Sequence, residues 1–181
     1  MIFGESFEKP QPNATYGVAA EAWGFDASEK ATSSVESSTV APAMHGASSR
    51  RITSTDDTTP ALLRNRGLGN EGLYFEAGKP YEGYFFARCA KPVKLLVRLA
   101  TWTPAPSVLA QREIDCPATV DATGWVQLNF SLVPSRAATC EGIGVGTDPS
   151  VHCTKPTSEA GHACVRCAGE FALGLAGAGS V

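Results

Sequence analysis

The sequence predicts an all-β fold, and three observations carry that expectation. Three stretches alternate apolar and polar residues with a period of two. Short turns separate them, in keeping with 18 glycines and 12 prolines scattered among short apolar runs. No stretch shows the three-to-four-residue apolar spacing of a surface helix. Strands of this kind bury one face each, so they pack as a sandwich or close into a barrel.

Residues 1–9 read as a first strand, ended by Pro10 and Pro12, and they have neither the basic nor the apolar region of a signal peptide. Residues 10–42 are rich in Ala, Ser, Thr and Glu with little periodicity. Within them a short strand is expected around Ala22-Trp23-Gly24-Phe25, and 27–41 reads as loop or weakly ordered edge. His45-Gly46 turns into a strand that reaches Ile52, and residues 54–60 form a loop.

The strongest alternation follows the turn at Glu76-Ala77-Gly78-Lys79-Pro80. From 81 to 89, Phe85, Ala87 and Cys89 point one way, and Glu82, Tyr84, Phe86 and Arg88 the other. From 93 to 102, Val93, Leu95, Val97 and Leu99 share one face, and Lys94, Leu96, Arg98 and Trp102 the opposite one. From 125 to 132, Val126, Leu128, Phe130 and Leu132 oppose Trp125, Gln127, Asn129 and Ser131. A weaker strand runs from Val108 to Ile114, and a last one covers 170–175 before the chain runs out in Ala176-Gly177-Ala178-Gly179-Ser180-Val181. The expectation is one domain over 1–181, a fragment lacking its last strand, with a Cys-rich loop insertion at 140–167.

A chain of 181 residues with 43% apolar and 18% charged residues has enough material for a single core. The net charge is −3 and no basic block occurs, which argues against nucleic acid as a partner. No apolar run reaches the length of a membrane-spanning helix, so no membrane partner is expected. The six cysteines and the two sequons, Asn13-Ala14-Thr15 and Asn129-Phe130-Ser131, favour an extracellular or secretory-pathway protein.

The cysteines allow two chemistries. Cys164-Val165-Arg166-Cys167 is a knuckle that could bind zinc with Cys140, Cys153, His152 or His162. Strong zinc patterns pair two knuckles and this sequence has one, so disulfides are favoured. A nested pairing of Cys140 with Cys167 and Cys153 with Cys164 suits a long loop between adjacent antiparallel strands. Cys89 and Cys116, both at strand ends, form the third expected bridge.

Catalytic motifs are missing: the sequence has no nucleophile elbow, phosphate loop or dinucleotide fingerprint. The carboxylate pairs Glu5 with Glu8 and Glu71 with Glu76 could serve glycoside hydrolysis, but solvated surface acids explain them as simply. This fragment is therefore read as non-catalytic. Tyr84 and Phe86 share a face with charges, and Trp102 and Trp125 point outward by the same parity. Aromatics among charges suit sugar rings, whose apolar C–H faces stack on them while hydroxyls take hydrogen bonds. Cover by the 10–60 segment or by another domain is the alternative. Asn65, Arg66, Asn70 and Glu71, in the glycine-rich stretch 64–73, supply the donors and acceptors a polyol needs. A tight, internally paired loop is the competing explanation.

Several of these segments resemble carbohydrate-binding modules of the family 4 and 9 type, which are galactose-binding-like. Gly4-Glu5-Ser6-Phe7-Glu8 and His45-Gly46-Ala47-Ser48-Ser49-Arg50-Arg51-Ile52 look like their opening "F-E" strand and the turn and strand that follow. Glu76 to Arg88 and Gly124 to Leu132 resemble two further strands of those modules. Asn65 to Leu73 is similar to a segment in the N-terminal module of α-L-arabinofuranosidases of glycoside hydrolase family 51.

The resemblance implies a jelly-roll β-sandwich of two antiparallel sheets that binds a polysaccharide or oligosaccharide. It implies a plant- or algal-polysaccharide-degrading parent in which a catalytic domain is the partner. It also implies no cofactor beyond a structural calcium held by Glu8, a site weakened by the lack of the family's closing "D-x-V-x-L" strand. The alternatives are a domain that buttresses a catalytic barrel, and an adhesion sandwich with no sugar site.

Overall fold

In the central strand of the fold, nearly every residue is buried on both faces, and this follows from its neighbours. The computed structural model describes residues 23–37, 39, 43–67, 72–102, 106–119, 124–143 and 164–181. They form the strands β1 (Gly24–Asp26), β2 (Ala31–Ser37), β3 (Ser48–Ser54), β4 (Ala61–Asn65), β5 (Tyr81–Ala87) and β6 (Val93–Thr101). These continue as β7 (Val108–Cys116), β8 (Val126–Leu132), β9 (Cys140–Ile143), β10 (Cys164–Cys167), β11 (Gly169–Leu175) and β12 (Gly179–Ser180). No helix occurs among the described residues.

One layer is an antiparallel five-stranded sheet in the order β1-β4-β11-β6-β7. Packed against it are two smaller sheets, β12-β3-β2 and the ribbon β5-β8, and β9-β10 forms a separate ribbon. The protein is thus an all-β sandwich, as the alternation predicts, with its second layer divided in two. Leu95, Val97 and Leu99 of β6 are almost wholly buried in the core with Ile52, Ala87, Leu132, Phe171 and Leu175. Burying each large aliphatic side chain contributes about 1.5–3 kcal/mol. Phe130 of β8 meets Phe171 of β11 at 5.7 Å between ring centroids, which ties the ribbon to the sheet.

Three sequence expectations change, and one left open is decided. Ala31–Ser37, within the 27–41 stretch read as loop or weakly ordered edge, is the edge strand β2, paired with β3 along its whole length. It is an edge strand with Ser and Thr on both faces, so it satisfies its backbone on one side without showing an apolar period. Ala61–Asn65, taken in part as a ligand loop, is β4, which lies between β1 and β11. Its Ala61, Leu62 and Leu63 are all buried, and a strand covered on both faces does not alternate. Leu96, assigned outward, is buried in a small second cluster with Leu62 and Ala172 on the far side of the sheet. Residues 179–181, read as a trailing end, pair with β3: Ile52 and Val181 exchange backbone hydrogen bonds of 2.8 and 3.0 Å.

Cys89 is joined to Cys116, and Cys140 to Cys167 across paired positions of β9 and β10. The second bridge takes two thiols out of the zinc alternative. Cys153, and with it the expected Cys153–Cys164 bridge, lies outside the described residues. So do the expected strand at 1–9 and the sequon at Asn13.

The loop after β3 contains Asp56, which is 6% exposed. Its carboxyl is held well below the usual carboxylate range, first by the neighbouring Ser28 hydroxyl, then by the Thr58 hydroxyl and backbone N–H, with burial opposing more weakly than these act. The Thr58 hydroxyl and N–H donate at 2.7 and 2.9 Å, whereas the Ser28 hydroxyl makes no hydrogen bond of normal geometry. A depressed folded pKa stabilises the fold fully above the unfolded value, about 4, and that contribution is lost as the pH falls through the folded value. Melting temperature is therefore expected to drop between about pH 4 and 2, and to drop less over that window in Asp56→Asn. Equal slopes for the two proteins would contradict this role for Asp56.

Candidate sugar-binding face

Strands β5 and β8 pair in a register that sets two rows of outward side chains side by side. Glu82 lies opposite Ser131, Tyr84 opposite Asn129, and Phe86 opposite Gln127. The same parity continues the rows to Arg88 and Trp125. The inward set, Phe85, Ala87, Leu128, Phe130 and Leu132, belongs to or packs on the core, which leaves the other face for solvent. Four alternate positions along a strand span about 20 Å.

Tyr84 is the most exposed large apolar side chain of this face, at 63%. Phe86 stands edge-on to it at 5.9 Å, and His45, from the turn before β3, stands edge-on to Phe86 at 5.5 Å. At the other end of the rows the Arg88 guanidinium lies 5.3 Å above the Trp125 ring. Gln127 Nε2 donates to Asn129 Oδ1 at 3.1 Å, so the two amides are held side by side beneath the aromatic row. Apolar rings and amide, guanidinium and carboxylate groups thus alternate over one surface. Such a surface can stack a flat apolar ring face while hydrogen-bonding its edges.

The other expected site residues lie elsewhere. Asn65 is fully buried in β4, and its Oδ1 accepts from the backbone N–H of Gly67 at 2.9 Å. It cannot reach a ligand. Its polarity serves the turn, where Gly67 adopts a positive φ of 75°.

Arg66 is engaged on the five-stranded sheet: its Nε donates to Glu170 Oε2 at 2.8 Å, and its guanidinium lies 4.8 Å above the Trp102 ring. Trp102 is turned toward β10 rather than forming an outward platform: its indole N–H donates to the Cys167 carbonyl at 2.7 Å. That bond ties the end of β6 to β10. The expected set is therefore split, with Tyr84, Phe86 and Trp125 on the β5-β8 face and Arg66 and Trp102 beside β6 and β11. Asn70, Glu71 and Glu8 lie outside the described residues. Among the described residues no group of three or more His, Cys, Asp or Glu side chains could hold a metal ion.

His45, Gln127 and Asn129 join the face without having been proposed as contacts. Parity already turned Gln127 and Asn129 outward. Nothing in the sequence placed His45 beside Phe86, because that contact joins the turn before β3 to a strand of another sheet.

The likeness to known proteins is distant. One solved chain, described as "CBM4 structure and function", is similar at 14% identity and a TM-score of 0.46, over 99% of this chain and 93% of that one. At that distance it decides nothing about function. No protein-family model matches the sequence. No curated protein matches it either.

Proposed function

We propose that this is a non-catalytic carbohydrate-binding domain whose ligand lies along the outer face of β5 and β8. One observation carries the proposal: an aromatic ring 63% exposed in the middle of a row of aromatic and hydrogen-bonding side chains. Tyr84 stacks on a sugar ring, Phe86 and Trp125 extend the apolar track, and Gln127, Asn129, Glu82 and Arg88 hydrogen-bond the hydroxyls. Because the face lies along the strands, the ligand is an extended polysaccharide or oligosaccharide chain rather than a single sugar. Two disulfides support an extracellular setting. The parent is proposed to be a glycoside hydrolase acting on plant or algal polysaccharide, of arabinofuranosidase type, with the catalytic domain as partner.

The test is affinity electrophoresis and calorimetry against arabinan, arabinoxylan, xylan, β-glucan and cellulose. Tyr84→Ala is expected to weaken binding to the preferred polymer about tenfold, the worth of roughly one stacked ring. Its thermal stability should stay within about 0.5 kcal/mol of the parent, since an exposed ring contributes little to folding. Undiminished binding by Tyr84→Ala would remove this face from consideration. Absence of binding by the folded parent would leave a scaffold role.

A further inference from the structure

The sequon Asn129-Phe130-Ser131 lies within β8. The strand period turns Phe130 into the core and leaves Asn129 and Ser131 exposed. Asn129 stands directly opposite Tyr84 in the ladder. Its Oδ1 accepts from Gln127, and its Nδ2, the atom a glycosyltransferase modifies, makes no hydrogen bond among the described residues. Facing residues of an antiparallel pair have Cβ atoms about 4.5–5.5 Å apart. A sugar joined to Nδ2 therefore begins within reach of the exposed Tyr84 ring. N-linked sugars usually sit on surface loops. Here a strand offers the same access, because its outer face has no covering layer among the described residues.

We infer that Asn129 is N-glycosylated, and that the proximal N-acetylglucosamine packs its apolar face on Tyr84, so that the modified protein covers its own binding face. The inference rests on the extracellular setting proposed above. The donor is a lipid-pyrophosphate-linked oligosaccharide. A bond forms between Asn129 Nδ2 and the anomeric carbon as the carbon–oxygen bond to pyrophosphate breaks. The lipid pyrophosphate leaves with the electron pair, and Nδ2 gives up one proton. Packing of the first sugar on an aromatic side chain hides the apolar surface of both partners. Modification thus separates two forms of one chain, one with an exposed aromatic row and one with that row occupied.

The full chain, secreted from a eukaryotic host with Asn13→Gln as background, tests this. Enzymatic release of N-glycans converts a modified Asn to Asp, which peptide mass spectrometry locates. The expected result is conversion at Asn129 in most molecules, and none in Ser131→Ala, which destroys the sequon and keeps Asn129. The glycosylated chain should melt higher than Ser131→Ala, and that difference should vanish when Tyr84→Ala, which is still modified, is added to both. Polymer binding by the glycosylated chain should be at least about tenfold weaker than by Ser131→Ala.

An unmodified Asn129 in the secreted chain would overturn the inference. So would a melting difference that survives in Tyr84→Ala, or, where Ser131→Ala does bind polymer, equal binding by the glycosylated chain. Occupancy and melting are read without added polymer, so failure of the sugar-binding proposal and failure of this one are distinguishable.

Discussion

Replacing Phe171 with alanine is expected to cost about 3–5 kcal/mol, a large share of the roughly 5–15 kcal/mol that holds a domain folded. Phe171 is 4% exposed in β11, opposite Asn65 on one side and Leu99 on the other. Its ring meets Trp23 at 6.2 Å and Phe130 at 5.7 Å, so it joins the edge of one layer to the ribbon of the other. Phe130 lies against β5 because Gly83 faces it: a Cβ at Gly83 would come within 2.7 Å of the Phe130 ring. Contacts on several strands cannot close together around a missing ring, so most of the cavity would persist. Urea denaturation should show a lower midpoint with an unchanged slope. A loss under about 1 kcal/mol would mean that the layers do not meet through this ring.

The second large effect belongs to the Cys89–Cys116 bridge. It closes a segment with a sequence separation of 27 between β5 and β7, and both cysteines are buried in the core cluster. Chain entropy in the unfolded state makes such a closure worth about 3–4 kcal/mol. The double variant Cys89→Ala with Cys116→Ala should lose at least that much, measured by urea denaturation against the oxidised parent. Cys140–Cys167 provides an internal comparison, because its sequence separation is also 27. If loop entropy were everything, the two double variants would be equally destabilised. A larger loss at Cys89 and Cys116 is expected, because their sulfur atoms also fill the core. The reverse order would assign the greater structural part to the β9-β10 ribbon.

The sequence disclosed the alternating strands and the apolar run of β11, and left β4 and β2 harder to see. In β5 and β8, alternation sorted Tyr84, Phe86, Gln127 and Asn129 from the core set, and the structure keeps that division. β4 escaped notice because Ala61-Leu62-Leu63 is too short to reveal a period and is covered on both sides. β2 was legible only as loop or weak edge, because an edge strand rich in Ser and Thr has no apolar face to display. Misplacing β4 carried over to the site. Asn65 resembled a ligand residue because polarity is visible in sequence, whereas the backbone donor that satisfies it is not. Trp102 lies just past the end of β6, and its indole N–H donates to the Cys167 carbonyl, a partner 65 positions away that the strand pattern does not reveal. The aromatic face was legible in its members. Its neighbour His45 was not, because that contact arises between segments far apart in the chain.

The pairing of β4 with β11 has a consequence during synthesis. Arg66 and Glu170, which meet beside these two strands, are 104 positions apart. At roughly 5–20 residues per second, β4 leaves the ribosome several seconds before its central partner exists. Until then only the three residues of β1 can pair with it. The nascent chain therefore carries an apolar strand with one edge unsatisfied, and long-range closure of this kind is slow once it becomes possible. Yield of folded protein should be governed less by final stability than by what shields Ala61, Leu62 and Leu63 from other nascent chains in that interval.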